Sequence, residues 1–460
     1  MSRKPPKATL GIIRSSPSLY STQLHKRPRG QLSVVDLFSG AGGLAEGFRQ
    51  AGYSIICGSD VDPDALATFK LNFPEALAVC GDIRATTVKR SIIDAASRAD
   101  VVVGGPPCQA FSQVRNHSRI IDDPRNSLYR EFVSVVRQTL PRAFVMENVT
   151  GLDQMGVRDQ ILTDLALHGK YLVRAQVVDA ADFGVPQTRK RLFFLGIRAS
   201  LGVEPPYLEG TRATESIALV RSAGARRTRY QVVVQASAMS QRIADMLGDP
   251  EDIRIVTAEQ AISDLAVLRA GRRENSISYS ELPQPLSIYQ QLMREDANEL
   301  LTGVQIPRMN EDTILRLRKI PVGGNYRDLS EEMLGRYLTG QKWGPANGSG
   351  RLSRRHFYAY RRLHPSIWAW TLNTKADSVY HYRDFRALSV REFARLQSFP
   401  DRFMFTTDPR LGMIPGRHDG GAAHSRYRQV GNAVPPLLAR AAAEAVLMAL
   451  QGTARSFRYA

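Results

Sequence analysis

Three cysteines occur in the chain, and one of them stands where a nucleophile would. Cys108 follows the apolar run Val101-Val102-Val103 and the turn Gly104-Gly105-Pro106-Pro107. A buried strand thus delivers a thiol into a rigid, loop-forming setting, and a reactive thiolate needs both exposure and a fixed approach. Cys57 and Cys80 lie within or at the ends of apolar strands and read as core residues. Their spacing matches no zinc pattern or disulfide framework, so no metal is expected. Two further groups could act with the thiol. Ala143–Met146 runs into Glu147-Asn148-Val149, and Gln187-Thr188-Arg189-Lys190-Arg191 precedes the apolar run Leu192–Ile197. In an extended segment, alternation puts Gln187, Arg189 and Arg191 on one side. Singly, Glu147 is a strand-end acid and the arginines a solvated edge. Together with Cys108 they form a thiol, an acid and guanidinium donors at one crevice.

A second constellation suits a cofactor. Leu32–Phe38 leads into Ser39-Gly40-Ala41-Gly42-Gly43-Leu44-Ala45 and then a helix. Glycines there let the backbone approach a ligand at a helix N-terminus, where free N–H groups and the helix dipole favour it. Asp60 ends the next strand, 60 − 40 = 20 residues after Gly40, where an acid can bind ribose hydroxyls. Gly81-Asp82-Ile83 adds a polar group after the third strand. On these residues alone, a nicotinamide cofactor, S-adenosylmethionine and a purely structural turn all remain open.

The elements that must position these groups follow a βα rhythm. Strand-like runs at Leu32–Phe38, Ser54–Gly58, Leu77–Cys80, Asp100–Val103, Ala143–Met146, Val173–Val178 and Leu192–Ile197 alternate with helical stretches. That predicts an α/β, doubly wound, mostly parallel sheet with ligands at the carboxyl ends of the strands. Residues 1–30 carry Lys4, Lys7, Arg14, Lys26, Arg27 and Arg29 with no acid and read as a basic disordered tail. Residues 31–200 form the first part of the α/β domain. From 201 to 383 the rhythm fails, and periodicity returns in 384–460, whose last helix is expected to complete the first domain. Lys and Arg exceed Asp and Glu by 62 − 44 = +18, which favours a polyanionic partner. No secretory signal and no uninterrupted apolar run of membrane-spanning length are evident. Membrane, collagenous and disulfide-rich classes are excluded.

Taken in order, the motifs resemble the DNA cytosine-5 methyltransferase family, of the bacterial modification-methylase type. They are Asp36-Leu37-Phe38-Ser39-Gly40-Ala41-Gly42-Gly43, Pro106-Pro107-Cys108-Gln109, Glu147-Asn148-Val149 and Gln187-Thr188-Arg189-Lys190-Arg191. Arg391-Glu392-Phe393-Ala394-Arg395-Leu396-Gln397-Ser398-Phe399-Pro400 and Gly431-Asn432-Ala433-Val434-Pro435-Pro436 complete the set. The resemblance implies a Rossmann-like domain, with a target recognition domain in the irregular middle. It makes Cys108 the nucleophile at cytosine C6, Glu147 the group engaging N3 and the exocyclic amine, Arg191 the donor to O2, and Arg189 a supporting donor. It turns the cofactor choice to S-adenosylmethionine. Phe38, Ser39, Gly40, Gly42, Gly43 and Leu44 would form its loop, Asp60 its ribose acceptor, and Val61 and Ile83 the flanks of its adenine. Asp82 would receive the adenine amino group, and Pro107, Asn432 and Val434 would add further contacts. Val61 stands where some relatives carry Trp, so aromatic stacking is absent there.

The partner implied is double-stranded DNA in the bacterial cytoplasm, with the target base flipped out. The enzyme is expected to be a monomer, either paired with a cognate restriction endonuclease or acting as an orphan methylase. Between Met333 and Ala376 there is no acid, and basic residues interleave with aromatics. Arg351, Arg354, Arg355, Arg361 and Arg362 are the expected DNA contacts. Trp368 and Trp370 read as core, and Arg391–Phe399 as a scaffold between domains. Three other readings compete. A tRNA-methylating relative lacks so large an insert, a silent DNA-binding regulator does not need Cys108, Glu147 and Arg191, and a nicotinamide oxidoreductase leaves Pro106-Pro107-Cys108 unexplained.

Overall fold

The computed structural model describes residues 19–20, 30–107, 127–154, 157–223, 228–234, 255–330, 332–334, 360–408 and 421–452. Its centre is one eight-stranded sheet. The strands are β1 (Leu19–Tyr20), β2 (Ser33–Leu37), β3 (Ser54–Asp60), β4 (Leu77–Cys80), β5 (Val101–Gly104), β6 (Ala143–Val149), β7 (Tyr171–Asp179) and β8 (Lys190–Arg198). Their spatial order is β1-β4-β3-β2-β5-β6-β8-β7. The pairs from β4 through β6 are parallel. Order reverses beside β2, so the ends of β2 and β5 flank the switch point where such sheets bind ligands.

Strict alternation explains how both faces are covered. Val101, Val103, Ala143, Val145, Phe193 and Leu195 face one apolar cluster. Val102, Phe144, Met146, Leu192 and Phe194 face the other. Helices α1 (Gly43–Gln50) and α2 (Pro63–Asn72) cover the first face, and α3 (Thr86–Ala96) and α4 (Ser127–Thr139) the second. The helix Pro436–Leu450 returns to lie on α1. The approach is at backbone distance: a Cβ at Gly47 would lie 2.4 Å from the Ala439 Cβ and 2.5 Å from the Pro436 carbonyl oxygen.

The sheet is mostly parallel, as expected, and three particulars qualify the sequence reading. β8 runs antiparallel to β6 and to β7, because the ten residues 180–189 are too few for the dozen or more that a parallel crossover requires. Leu19–Tyr20, in the stretch read as a disordered tail, pairs antiparallel with β4. The stretch His424–Leu450 has the length and mean hydropathy of a membrane span, but Arg440 and Glu444 interrupt it, and Leu438, Ala442, Ala443 and Val446 are fully buried in the core.

Beyond Arg198 the described residues form two small antiparallel pairs, β9 (Ile217–Ala223) with β10 (Thr228–Val234), and β11 (Ser276–Ser278) with β12 (Leu300–Thr302). The middle region is not wholly separate. Val256, Ile262, Tyr289 and Met293 share the apolar cluster of Phe393 and Leu438. The helix Val390–Leu396, opened by a Ser389–Glu392 capping box, braces that junction. Its fully buried Arg395 reaches Asp401 at 2.6 Å and Asp264 at 3.2 Å.

Candidate active site

A cavity of about 620 Å³ opens at the carboxyl ends of β2, β3, β5 and β6. On the glycine-loop side, Phe38 adopts left-handed backbone (φ 56°), which turns the chain sharply off β2. Ser39 N–H then donates to Ser59 C=O and Gly42 N–H to Ser39 C=O, closing the turn. Gly43 cannot carry a side chain, because a Cβ would lie 2.3 Å from the Val434 carbonyl oxygen. The loop and the segment after Gly431 therefore close on each other.

Asp60 is fixed at the centre of this side. Its carboxylate accepts Gly40 N–H and Asp62 N–H, each at 2.8 Å. Burial pushes its carboxyl above the ordinary range, although those N–H groups pull the other way. Asp36, one strand over, is fully buried and raised well above its ordinary value by desolvation, with one oxygen on Ala45 N–H and the other without a partner among the described residues. Ser39 Oγ is likewise buried without a partner among the described residues, beside the cavity it lines.

Across the cavity, β6 delivers Glu147 and β8 delivers Arg191. The Arg191 Nε lies 2.7 Å from Glu147 Oε1. A Cβ at Gly105 would come within 3.0 Å of Glu147 Oε2, so glycine there leaves the carboxylate room. Asn148 donates its side-chain amide to Pro106 C=O at 3.0 Å, pinning the turn that leads to residue 108. Cys108 itself lies outside the described residues, as do Arg351, Arg354 and Arg355.

Of the expected cofactor contacts, Phe38, Ser39, Gly40, Gly43, Leu44, Asp60, Pro107, Asn432 and Val434 line the cavity with Glu147, Arg189 and Arg191. Gly42, Val61, Asp82 and Ile83 do not. Gly42 caps α1 with a positive φ of 101°, against Phe73. Val61 is exposed, and Ile83 is buried in the opposite apolar cluster. Asp82 is ion-paired with Arg84, which holds its carboxyl below the usual range.

Arg189 serves differently from the expected supporting donor. It is buried and donates to Leu372 C=O (3.2 Å) and Gly431 C=O (2.8 Å), tying two loops to β8. Burial, with repulsion from Arg191, holds its guanidinium well below the ordinary value. Arg362 is also corrected. It is buried, with Nη1 on Ile320 C=O and Nη2 on Tyr382 C=O, both at 2.9 Å, and so cannot be an exposed phosphate contact. Its chain neighbour Arg361 lies over Trp370, 5.5 Å from the ring centroid. Trp368 is buried as expected, whereas Trp370 is only half-buried.

Sequence reasoning missed Asp62 and Arg428, whose 2.7 Å pair lines the same cavity. Asp62-Pro63 is a legible helix start, since the Asp62 side chain caps α2. Nothing local marks Arg428. Gln187 was noticed, but its partners were not. It is fully buried, accepts Leu372 N–H at 2.8 Å, and donates to Leu396 C=O and the Gln397 side chain.

Comparison with known proteins shows the family. Residues 32–448 match C-5 cytosine-specific DNA methylase. The chain is 32% identical to the type II methyltransferase M.AgeI of Thalassovita gelatinovora, over 91% of this chain and 100% of that one. It is 32% identical to M.DdeI of Desulfomicrobium norvegicum, over 90% and 88%. Its fold is similar to that of a DNA modification methyltransferase of an E. coli prophage, with a TM-score of 0.53 at 22% identity, covering 92% of this chain and 100% of that one. The chain belongs to the C-5 cytosine-specific DNA methylase family.

Proposed function

We propose that the protein transfers a methyl group from S-adenosylmethionine to C5 of a flipped-out cytosine in a defined duplex sequence, as a modification methylase of the restriction–modification type. The observation that carries this reading is the Glu147–Arg191 pair, standing in one cavity with Asp60 and the glycine loop, beside the turn that leads to Cys108. The residues fit the cofactor: Asp60 is a fixed acceptor with lone pairs left over, and Ser39 offers a buried hydroxyl without a partner among the described residues. When bound, S-adenosylmethionine supplies an electrophilic methyl group.

The chain's own residues supply the rest. The Cys108 thiolate adds to C6 of cytosine, and the displaced electron pair makes C5 nucleophilic. Glu147 stabilises the adduct by hydrogen bonding or proton donation to N3, where negative charge develops, while its other oxygen accepts from the amino group, and Arg191 donates to O2. After C5 is alkylated, loss of its proton expels the thiolate and restores the ring. The carboxylate–guanidinium pair is pre-formed, so both groups are oriented before the base arrives. The cavity is lined by the loop and the Gly431–Val434 segment, which supports entry of a single base turned out of the stack. Duplex DNA is the partner and the bacterial cytoplasm the compartment where it is met.

Labelled methyl transfer to duplex DNA and to tRNA, followed by bisulfite sequencing of the DNA product, tests the reading. Methylation of a defined cytosine is expected. Duplex DNA carrying 5-fluorocytosine at that position should trap a covalent complex that Cys108→Ser abolishes. Methylation of tRNA alone, or an adduct at Cys57 or Cys80, would overturn it.

A further inference from the structure

The ribbon β9–β10 has two unlike faces. Residues of β10 alternate strictly, with Thr228, Tyr230, Val232 and Val234 half-buried and Arg229, Gln231 and Val233 exposed. The inner face is anchored. Ile217, Leu219, Val232 and Val234 pack on Ile367 and Trp368, and Tyr230 donates its hydroxyl to Asp328 at 2.9 Å. Arg221 joins this anchor through Asp328 at 3.1 Å. The outer face brings Ser222 opposite Arg229, Val220 opposite Gln231, and Ala218 opposite Val233. Val220 is 45% exposed and Val233 40%. A lone solvated ribbon gains nothing from exposed valines beside an arginine and an amide.

Charge decides the occupant. Residues 216–244 contain Arg221, Arg226, Arg227, Arg229 and Arg242 and no Asp or Glu. An acid-free basic ribbon is complementary to a polyanion and repels a basic protein surface. A two-stranded ribbon also fits the major groove of B-form DNA. There the outer-face chemistry has a direct use: Arg pairs bidentately with guanine, Gln with adenine, Ser with either base, and apolar groups with the thymine methyl.

The root of the ribbon is tied to the catalytic cavity. Trp368, under the ribbon, is followed by Ala369, which pairs with Gln187 and donates its N–H to Pro186 C=O at 2.9 Å. Thr371 Oγ1 donates to Thr188 C=O at 2.7 Å, and Thr371–Thr374 line the cavity itself. One short, hydrogen-bonded segment thus connects the anchored ribbon to the cavity.

We propose that the outer face of β9–β10, through Ser222, Arg229 and Gln231, reads base edges in the major groove beside the target cytosine. This rests on the DNA-methylating reading above and names an element that the expected cluster at 351–362 did not include. A ribbon held by its inner face can lose an outer side chain without losing its fold, so the test is clean.

The full-length protein and its Ser222→Ala, Arg229→Ala and Gln231→Ala variants would each methylate a randomised duplex library, read by bisulfite sequencing, with cofactor binding measured beside it. Arg229→Ala is expected to relax preference at one base pair by roughly 5- to 150-fold. Gln231→Ala should relax a different pair, and cofactor affinity should stay within about twofold, a margin inside the usual additivity error. Replacing guanine by 7-deazaguanine at the Arg229-dependent pair removes a major-groove acceptor and should reproduce that loss. If the parent methylates a defined sequence and all three variants keep its preference, the ribbon assignment falls while the enzymatic reading stands. A uniform loss of affinity with unchanged preference also overturns it, since that marks backbone contact. If the parent itself methylates no DNA, the underlying reading fails instead.

Discussion

Replacing Asp60 by Asn would remove one charge and one acceptor while keeping the side chain's shape. The carboxylate receives two backbone N–H groups, from Gly40 and Asp62, at 2.8 Å each. An amide in its place has one oxygen and one NH2, so one of those N–H groups would face another donor. The Gly40 end of the loop would then loosen, and the ribose hydroxyls would meet a weaker acceptor. A hydrogen bond to a charged group contributes about 1.5–3 kcal/mol, which corresponds to roughly 10- to 150-fold in affinity. Titration calorimetry with S-adenosylmethionine should show that loss, while DNA binding without cofactor stays unchanged. Acid should act in the same direction. The ionised carboxylate is the acceptor, and burial raises its pKa, so parental binding weakens as pH falls and begins to do so at higher pH than for an ordinary aspartate. The Asn variant should lack this acid limb. Cofactor affinity within twofold of the parent, with the same pH profile, would refute the placement of Asp60 at the ribose.

Three further outcomes are expected. Gly47→Ala puts a methyl group 2.4–2.5 Å from atoms of the Pro436–Leu450 helix, so denaturant unfolding should show a loss of about 1–3 kcal/mol or more, and an unchanged midpoint would contradict the packing. Arg395→Met strands the buried carboxylates of Asp401 and Asp264 and should cost about 3–5 kcal/mol, less whatever Arg391 and Arg294 recover, by the same measurement. Burial alone would raise the Asp401 carboxyl, but Arg395 and Arg391 hold it below its ordinary value, so the parent keeps this stabilisation at neutral pH and loses it only as pH falls through that lowered value. Cys57, whose thiol burial pushes up to about 12, should resist alkylation in the native protein at roughly pH 8, and stoichiometric native labelling would refute its burial.

The sheet was legible because strands covered on both faces read as short, continuous apolar runs, and because the cavity-lining residues follow those runs directly. The direction of β8 was legible too, but only in the length of the link from β7, which the βα rhythm obscured. The middle region resisted reading for a physical reason. A run of arginines looks alike whether its members face solvent or, like Arg362, donate to carbonyl groups in the interior. Arg391 and Arg395 escaped that ambiguity because they sit in an apolar helical pattern, and both are buried as a scaffold requires. Asp62 and Arg428 are 366 residues apart, and only the fold brings them together.

The union of α1 with the Pro436–Leu450 helix also governs when the enzyme can exist. Tyr53 donates its hydroxyl to Ala443 C=O across 390 residues, and the Val434 carbonyl seals the loop at Gly43. A nascent chain released as far as β8 already carries the glycine loop, Asp60, Cys108, Glu147 and Arg191. It still lacks the wall that Asn432–Val434 supplies, and α1 has an uncovered apolar face. Contacts so distant in sequence form late, after the loop-closure entropy of the whole intervening chain has been met. Translation therefore finishes before the cavity does, and a truncated product would carry Asp60, Glu147 and Arg191 without the wall that completes their cavity.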